Sequence, residues 1–205
     1  MATEVVRIDP VAPDEAALRE AARVLRRGGL VAFPTETFYG LGAAALDAAA
    51  VRRVFDVKGR PSSMPLLVLL DVASRLREVV ADVPERARVL MDRHWPGALT
   101  LVFRAAAHLP HELTAGTGTV GVRVPQHAVP RALVAHLGAP VTAPSANRTG
   151  ADPPTTADDV LAHLRDAVDL VLDAGPTAGG APSTVVDVTV EPPRVIRQGA
   201  VRLDV

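Results

Sequence analysis

The sequence predicts an α/β protein, and two observations indicate this fold class. Short apolar runs rich in β-branched residues alternate with amphipathic helical patterns along most of the chain. The chain has 205 residues, of which 48% are apolar and only 3% aromatic, so Ala, Val and Leu must supply most of the core. This length fits one domain, and no internal repeat or low-complexity linker divides it. We therefore expect a single domain over residues 1–205.

The elements follow from local patterns. Apolar runs predict strands at residues 5–8, 30–33, 66–70, 99–103, 120–124, 141–143, 170–172, 184–190 and 195–196. Helical periodicity predicts helices at residues 14–27, about 48–57, 73–80, 85–93, 130–137 and 156–167. Gly28 ends the first helix and Asp47 is placed to cap the second. Asp158 and Asp159 lie in the first turn of the last helix, where its dipole favours acidic residues.

Composition excludes several functional classes. The net charge of -1 argues against a globally basic nucleic-acid binder. The chain has no cysteine, which excludes disulfides and thiolate metal sites. No apolar run of about 18 residues predicts a membrane span. The N-terminal segment lacks the basic and apolar regions of a secretory signal. We therefore expect a soluble, cytoplasmic protein that does not contact a membrane.

The basic residues are unusually uniform. Of the 22 basic residues, 21 are arginine and one, Lys58, is lysine. A genome that favours Arg codons would explain the arginines without any functional meaning. Under the same bias, a retained lysine suggests a chemical need for an ammonium rather than a guanidinium group.

Polar segments lie at predicted strand ends or in loops, where functional groups concentrate in α/β folds. Residues 34–42 (Pro-Thr-Glu-Thr-Phe-Tyr-Gly-Leu-Gly) crowd two hydroxyls, a carboxylate and a phenol into one turn. This pattern fits a ligand site or an ordinary strand-to-helix turn. Lys58 and Arg60 suit a polyphosphate, although a solvated helix end would carry the same charges. No P-loop motif is present.

Three further features are ambiguous from the residues alone. Ser145 and Asn147, in residues 143–147, offer donors and acceptors at one turn, which also fits a plain Asx or Ser turn. Arg123 lies in an apolar strand, where its charge is costly unless a substrate carboxylate, or an Asp or Glu, pairs with it. Ser183 begins an apolar segment and fits either a ligand contact or a strand-entry residue.

Taken together, these segments resemble the YrdC-like family of threonylcarbamoyl-AMP synthases. The family patterns P-T-E-T-x-Y-G-L-G, K-x-R with a following P and P-L, A-P-S-A-N, S-T-V-V-D and R-x-G correspond to residues 34–42, 58–66, 143–147, 183–187 and 197–199. Residues 95–97 (Trp-Pro-Gly) also resemble the family. Each match alone is weak, but five in register over nearly the whole chain are specific.

The resemblance implies a twisted mixed α/β sheet with helices on its faces and a large open cavity, the YrdC-like or DHBP-synthase-like fold. It implies that threonine, bicarbonate and ATP, with Mg²⁺, are converted to threonylcarbamoyl-AMP and pyrophosphate, for threonylcarbamoyl-adenosine formation in tRNA. Further partners would be tRNA and the downstream threonylcarbamoyl-transfer proteins. No metal site built by the protein is implied.

The implied site residues divide by substrate. They are a catalytic and nucleotide-binding tetrad of Lys58, Arg60, Ser145 and Asn147, a nucleotide contact from Arg197, and threonine contacts from Thr35, Arg123 and Ser183. Within this set, we expect Lys58 to lie in the cavity beside the ATP phosphates or the carbamate.

The chain departs from the family pattern at three positions. Phe38 replaces a common Val, Leu69 stands where many members have His, and Pro153 stands where a Ser often occurs. The last two changes affect one threonine contact and one ATP contact. We expect the extra C-terminal domain of longer members to be absent, and residues 175–182 are the best candidate for a lid.

Three alternatives stay open at this stage. An RNA-binding module of the same fold would bind RNA tightly, with a steep salt dependence and without ATP. A related carbamoyl-adenylate enzyme with a different acceptor, as in hydrogenase maturation, would be longer and carry Cys-rich modules. A relative of unknown activity would be expected to lack the serine and asparagine at positions 145 and 147.

Overall fold

The computed structural model describes residues 2–203. The strands in this range are β1 (Glu4–Arg7), β2 (Val31–Phe33), β3 (Gly40–Gly42), β4 (Leu67–Leu69), β5 (Leu99–Arg104), β6 (Thr119–Arg123), β7 (Val141–Thr142), β8 (Leu170–Asp173), β9 (Thr184–Asp187) and β10 (Arg194–Arg197). The helices are α1 (Glu15–Arg26), α2 (Ala48–Lys58), α3 (Glu85–His94), α4 (His111–Thr114), α5 (Ala128–Leu137) and α6 (Ala157–Leu164). No helix in this range is both long and apolar enough to cross a membrane.

The strands form two mixed sheets. The four-stranded sheet has the order β1-β8-β2-β3, in which only the β2–β3 pair is antiparallel. The six-stranded sheet has the order β10-β9-β5-β6-β4-β7, in which the β5–β9 and β4–β6 pairs are parallel. The predicted α/β class with mixed strand directions is therefore confirmed.

Strands β8, β2 and β3 of the four-stranded sheet are buried, whereas the edge strand β1 is largely exposed. Alternate residues of β2 and β8 point to opposite sides, as strand geometry requires. Val31 and Phe33 pack with α1 and α5, whereas Ala32 and Val171 pack with α2 and α6.

In the six-stranded sheet, one face packs into the cluster that contains α2 and α6. On the opposite face, Leu69 and Val141 pack into the cluster that contains α1 and α5. That opposite face, described below, also lines a cavity.

The two sheets are joined where β3 meets β7. Isolated bridges pair Gly40 with Ser145 and Ala44 with Val141. The buried Thr142 hydroxyl accepts from the Ala43 N–H at 2.9 Å and donates to the Leu41 carbonyl at 3.1 Å. One hydroxyl thus satisfies backbone groups that would otherwise be buried without partners.

Strand β3 was not predicted, because Gly-Leu-Gly has little intrinsic strand preference. Pairing with β2 imposes the strand, and Gly42 is required there. A Cβ on Gly42 would lie 2.6 Å from the Phe33 ring and 2.9 Å from a Val141 methyl.

The predicted segment 73–80 is a 3₁₀ helix at Ala73–Glu78. The predicted helix 156–167 ends at Leu164 and continues as a 3₁₀ turn.

The predicted cap at Asp47 agrees with the structure, and the start of α6 shows a further cap that was not predicted. The Asp47 side chain accepts from the Ala49 and Ala50 N–H groups and caps α2. Thr156 and Asp159 form a reciprocal capping box at the start of α6. The caps fix where these two helices begin.

Replacing Thr142 by valine should destabilise the fold by about 1–3 kcal/mol, because the substitution keeps the shape and leaves the buried Ala43 N–H without its partner. The measurement is urea unfolding followed by circular dichroism. Thr119→Val in β6 is the matched control, since among residues 2–203 the hydrogen-bond partner of the Thr119 hydroxyl is the exposed Thr117 hydroxyl. Its effect should stay within about 0.5 kcal/mol. Equal effects of the two substitutions would contradict this role of Thr142.

Candidate active site

A cavity of about 580 Å³ lies against one face of the six-stranded sheet. This volume falls within the roughly 300–1,000 Å³ typical of small-molecule sites. Its floor is formed by residues that share one face of four neighbouring strands: Leu67, Leu69, Thr100, Val102, Gly121, Arg123 and Val185. Three loops form the walls, namely the β2–β3 turn (residues 34–39), residues 60–66 after α2, and the Ser145 turn (residues 143–147) after β7.

Arg123 projects from the floor and is only 5% exposed. Its Nε donates to the Gly97 carbonyl at 3.0 Å, and its Nη2 lies 2.7 Å from Oε1 of Glu36. This ion pair is not aligned as a hydrogen bond: within the described residues, Arg123 Nη2 and Glu36 Oε2 are buried atoms without a hydrogen-bond partner. Arg123 therefore has the carboxylate partner that its burial requires. Its Nη1 makes no hydrogen bond within the described residues, so it keeps donor capacity for a ligand in the cavity that Arg123 lines.

Glu36 reaches Arg123 from the β2–β3 turn. Its Oε1 also accepts from the Gln126 N–H at 2.9 Å. Burial raises the pKa of Glu36, but the Arg123 charge and the Gln126 hydrogen bond outweigh burial and hold this pKa below its usual value. Glu36 is thus ionised at neutral pH. The pair connects the turn of one sheet to a strand of the other.

A close approach of the backbone requires the glycine of the Trp-Pro-Gly segment. A Cβ on Gly97 would lie 2.5 Å from the His94 carbonyl oxygen, so only glycine fits this close approach. The Trp95 indole N–H donates to the Leu99 carbonyl at 2.7 Å and anchors the segment to β5. The segment therefore presents the Gly97 carbonyl to Arg123.

Ser183 and Arg197 form a second polar group beside the floor. The Ser183 hydroxyl lies 2.9 Å from that of Thr100, and Arg197 donates from Nε and Nη2 to the Ser183 carbonyl at 3.2 and 2.8 Å. Burial, and then the positive charge of Arg123, lower the pKa of Arg197. The two guanidinium groups are therefore close enough to repel each other, which favours an anion near them.

Thr35 lines the cavity, but its hydroxyl is engaged within the β2–β3 turn. Thr35 Oγ1 accepts from the Thr37 N–H at 3.1 Å and donates to the Phe38 carbonyl at 2.8 Å. The Thr37 hydroxyl lies 3.0 Å away and also lines the cavity. Thr35 thus shapes the turn that carries Glu36.

The predicted tetrad divides into two pairs. Arg60 and Ser145 line the cavity, whereas Lys58 and Asn147 are buried behind it, 3% and 4% exposed. The Lys58 ammonium donates to the carbonyls of Ser145 and Asn147. We expected Lys58 in the cavity beside the ATP phosphates or the carbamate. Lys58 is not among the residues that line the cavity, and its ammonium contacts the backbone of the Ser145 turn; its contact with a phosphate or the carbamate stays a prediction. Burial, and then the Arg60 charge, lower the pKa of Lys58 to about 8.

The segment 175–182 is tied down at several points along one edge of the cavity. The Tyr39 hydroxyl donates to the Gly175 carbonyl at 2.7 Å. The N–H groups of Thr177 and Gly179 donate to the carbonyls of Thr155 and Thr37. Desolvation, and then the Asp173 charge, raise the pKa of Tyr39, so its hydroxyl stays protonated for this bond.

The charges lining the cavity favour anions. Three guanidinium groups, from Arg60, Arg123 and Arg197, face this space, and no Asp or Glu is among its lining residues in the described range. Burial lowers the pKa of Arg60, which indicates a partly desolvated charge. No group of three potential metal-ligating side chains occurs within residues 2–203.

Comparison with known proteins identifies the family. The sequence model of the Sua5/YciO/YrdC family, described as "Telomere recombination", matches residues 23–199. The chain belongs to this family. The threonylcarbamoyl-AMP synthase of Pyrococcus abyssi is 42% identical over 191 residues, which cover 93% of this chain and 56% of that protein.

Solved structures of Sua5/YciO/YrdC proteins agree. The crystal structure of P. abyssi Sua5 complexed with L-threonine gives a TM-score of 0.93 at 41% identity and covers 96% of this chain and 58% of that one. Escherichia coli YciO gives a TM-score of 0.88 at 27% identity, with 96% of both chains covered. The chain thus spans a little over half the length of the P. abyssi protein.

The departures of this family member from the pattern lie on the cavity itself. Leu69, Phe38 and Pro153 all line it, and Leu69 lies directly across from Arg123 in the β4–β6 register.

The sequence did not identify Glu36 or Gly97 as site residues. Two features of the sequence pointed toward them: Arg123 in an apolar strand needs a partner, and residues 95–97 resemble the family. A sequence does not show, however, which carboxylate or carbonyl reaches Arg123.

Glu36→Gln should lower the free energy of unfolding at pH 7 by roughly 3 kcal/mol, because it leaves the buried Arg123 charge without its counter-ion. The Glu36 pKa is depressed, so its contribution is present above the unfolded-state pKa and is lost as pH falls through the folded-state pKa. Urea unfolding at pH 7 and at pH values below 4.5 should show the difference from wild type shrinking as pH falls. A difference that does not change with pH would contradict the ion pair.

Proposed function

We propose that this chain makes threonylcarbamoyl-AMP and pyrophosphate from threonine, bicarbonate and ATP. The observation that carries the proposal is a cavity in a Sua5/YciO/YrdC protein into which three guanidinium groups project without a lining carboxylate. Each of the three substrates carries negative charge that such groups bind. The name and the threonine complex of the P. abyssi relatives support the same assignment.

Threonine would be held at the floor. The free donor capacity of Arg123 suits a carboxylate, which an arginine can grip with two parallel hydrogen bonds. Ser183 and Thr100 supply hydroxyls beside it. Thr35 would act through the shape of its turn, and Leu69 gives the threonine side chain an apolar neighbour.

The nucleotide would lie toward the walls. Arg60 and Arg197 would neutralise phosphate charge, and the Ser145 hydroxyl would orient the carbamate or the α-phosphate. The lining offers no carboxylate to a metal ion, so Mg²⁺ would enter bound to the phosphates of ATP. Its role would be to share the charge of the leaving pyrophosphate.

The reaction has two steps. The threonine nitrogen attacks the carbon of CO₂ or bicarbonate and loses a proton, giving a carbamate, with water released when bicarbonate is used. A carbamate oxygen then attacks the α-phosphorus, and the bond from that phosphorus to pyrophosphate breaks. No protein nucleophile is needed, so positioning and charge neutralisation supply the catalysis. The carbamate decomposes in water, which makes an enclosing cavity useful.

The product is a reactive mixed anhydride and must be consumed by transfer to an acceptor. We extend the proposal to tRNA adenosine as that acceptor, in the cytoplasm, with separate transfer proteins. The name of the P. abyssi synthase supports the product but leaves the acceptor as part of the proposal.

Pyrophosphate release from ATP should require threonine and bicarbonate together. The measurement is a coupled pyrophosphate assay with Mg²⁺ and single amino acids, in CO₂-free buffer with or without added bicarbonate. Omission of either substrate should reduce release to background. Equal turnover without bicarbonate would reject the carbamate chemistry, and tight ATP-independent RNA binding without turnover would favour an RNA-binding module instead.

Arg123→Ala should raise the KM for threonine at least about tenfold, since a charge-assisted hydrogen bond contributes about 1.5–3 kcal/mol, and change the KM for ATP much less. The Glu36→Gln, Arg123→Ala double variant is the control, because it leaves no unpaired buried carboxylate. An unchanged threonine KM in either folded variant would reject this role of Arg123.

A further inference from the structure

The Lys58 ammonium is surrounded by oxygen atoms of a single turn. Nζ lies 2.5 Å from the Ser145 carbonyl, 2.6 Å from the Asn147 carbonyl and 3.5 Å from Asn147 Oδ1. The Lys58 carbonyl in turn accepts from the Thr149 N–H at 2.8 Å. Lys58 therefore connects the end of α2 to residues 145–149 through both its side chain and its backbone.

These contacts explain why a lysine stands here among 21 arginines. The three N–H donors of an ammonium point outward from one nitrogen in tetrahedral directions, so they can reach three oxygens arranged around it. The donors of a guanidinium diverge in a plane and cannot meet the same oxygens from one point. The ammonium also lies at the C-terminal end of α2, where the helix dipole favours positive charge.

Asn147 closes the turn from the other side. Its Nδ2 donates to the carbonyls of Arg148 at 3.0 Å and Ala151 at 2.6 Å. The Ala146 N–H donates to the Tyr39 carbonyl at 2.8 Å. Ala143, Pro144 and Ser145 are the residues of this turn that line the cavity. Ser145 is the one among these three with a polar side chain, and its hydroxyl has no hydrogen-bond partner in the part of the chain that the structure describes.

We propose that Lys58 is a positioning residue that holds the Ser145 turn from behind through the Ser145 and Asn147 carbonyls, and that it does not contact the phosphates or the carbamate. The inference rests on the proposed function only for the role of Ser145 in the reaction. Lys58 orients the Ser145 hydroxyl, and Arg60, two residues further on, faces the same cavity directly.

The ligand-free protein tests the contact itself. Lys58→Met should shift the backbone amide NMR signals of Ser145, Ala146 and Thr149, whereas Arg53→Met on the same helix, whose guanidinium contacts Gly28 and Asp169, should not. Unchanged signals at the turn would overturn the proposal. This comparison decides on the role of Lys58 without any turnover, so a failure of the proposed reaction is distinguished from a failure of this inference.

The single lysine permits a direct test in the wild-type protein. Labelling with ¹⁵N-lysine gives one side-chain signal, from Lys58, and its pKa should lie near 8 without ligand. Saturating Mg²⁺-ATP, verified by backbone amide shifts at the cavity, should raise this pKa by less than about one unit. A rise of about 1–3 units, typical of an opposite charge within 4–6 Å, would show phosphate contact and overturn the proposal.

A double-mutant cycle tests how Lys58 acts. Lys58→Met and Lys58→Arg should both lower kcat/KM for ATP in the pyrophosphate assay. In a Ser145→Ala background the same changes should cost at least about fivefold less, as expected for coupled residues. An equal fold-loss in both backgrounds, or full activity of Lys58→Arg, would contradict the positioning role.

Discussion

The buried ion pair between Arg123 and Glu36 sets the arrangement of the site. Arg123 belongs to the six-stranded sheet and Glu36 to the turn between two strands of the other sheet. A guanidinium this buried is strongly destabilising without its counter-ion, so the pair fixes the turn over the sheet. Gly97 holds the guanidinium from a second direction. The cavity therefore lies where the sheets meet, and its charged anchor has little freedom to move.

The other residues that line the cavity surround Arg123. Side chains alternate along each strand of the six-stranded sheet, so the same strands that fill the core also supply a cavity floor that is apolar apart from Thr100 and Arg123. The guanidinium groups of Arg60, Arg123 and Arg197 act in a partly desolvated space, where electrostatic attraction is stronger than in water. Because each polar group is held in a fixed position, a small number of them is enough to bind a ligand.

The sequence predicted the α/β class, most elements and the cap at Asp47, because these depend on local periodicity and local hydrogen bonds. It did not predict β3, since pairing with β2 overrides the weak strand preference of Gly-Leu-Gly, or the division into two sheets. It selected Lys58 from composition, but a composition cannot show which side of a turn an ammonium occupies. It required a partner for Arg123 and could not choose between a ligand and Glu36, because that choice depends on contacts between distant segments.

We propose that Arg123, held by Glu36 and Gly97, binds the carboxylate of an amino acid. Isothermal titration with threonine and with threonine amide tests this role of Arg123, because the two ligands differ at the group that Arg123 would hold, a carboxylate in one and an uncharged amide in the other. Threonine should bind at least about tenfold more tightly than the amide, because the amide loses a charge-assisted hydrogen bond. Equal dissociation constants for the two ligands would contradict the proposal.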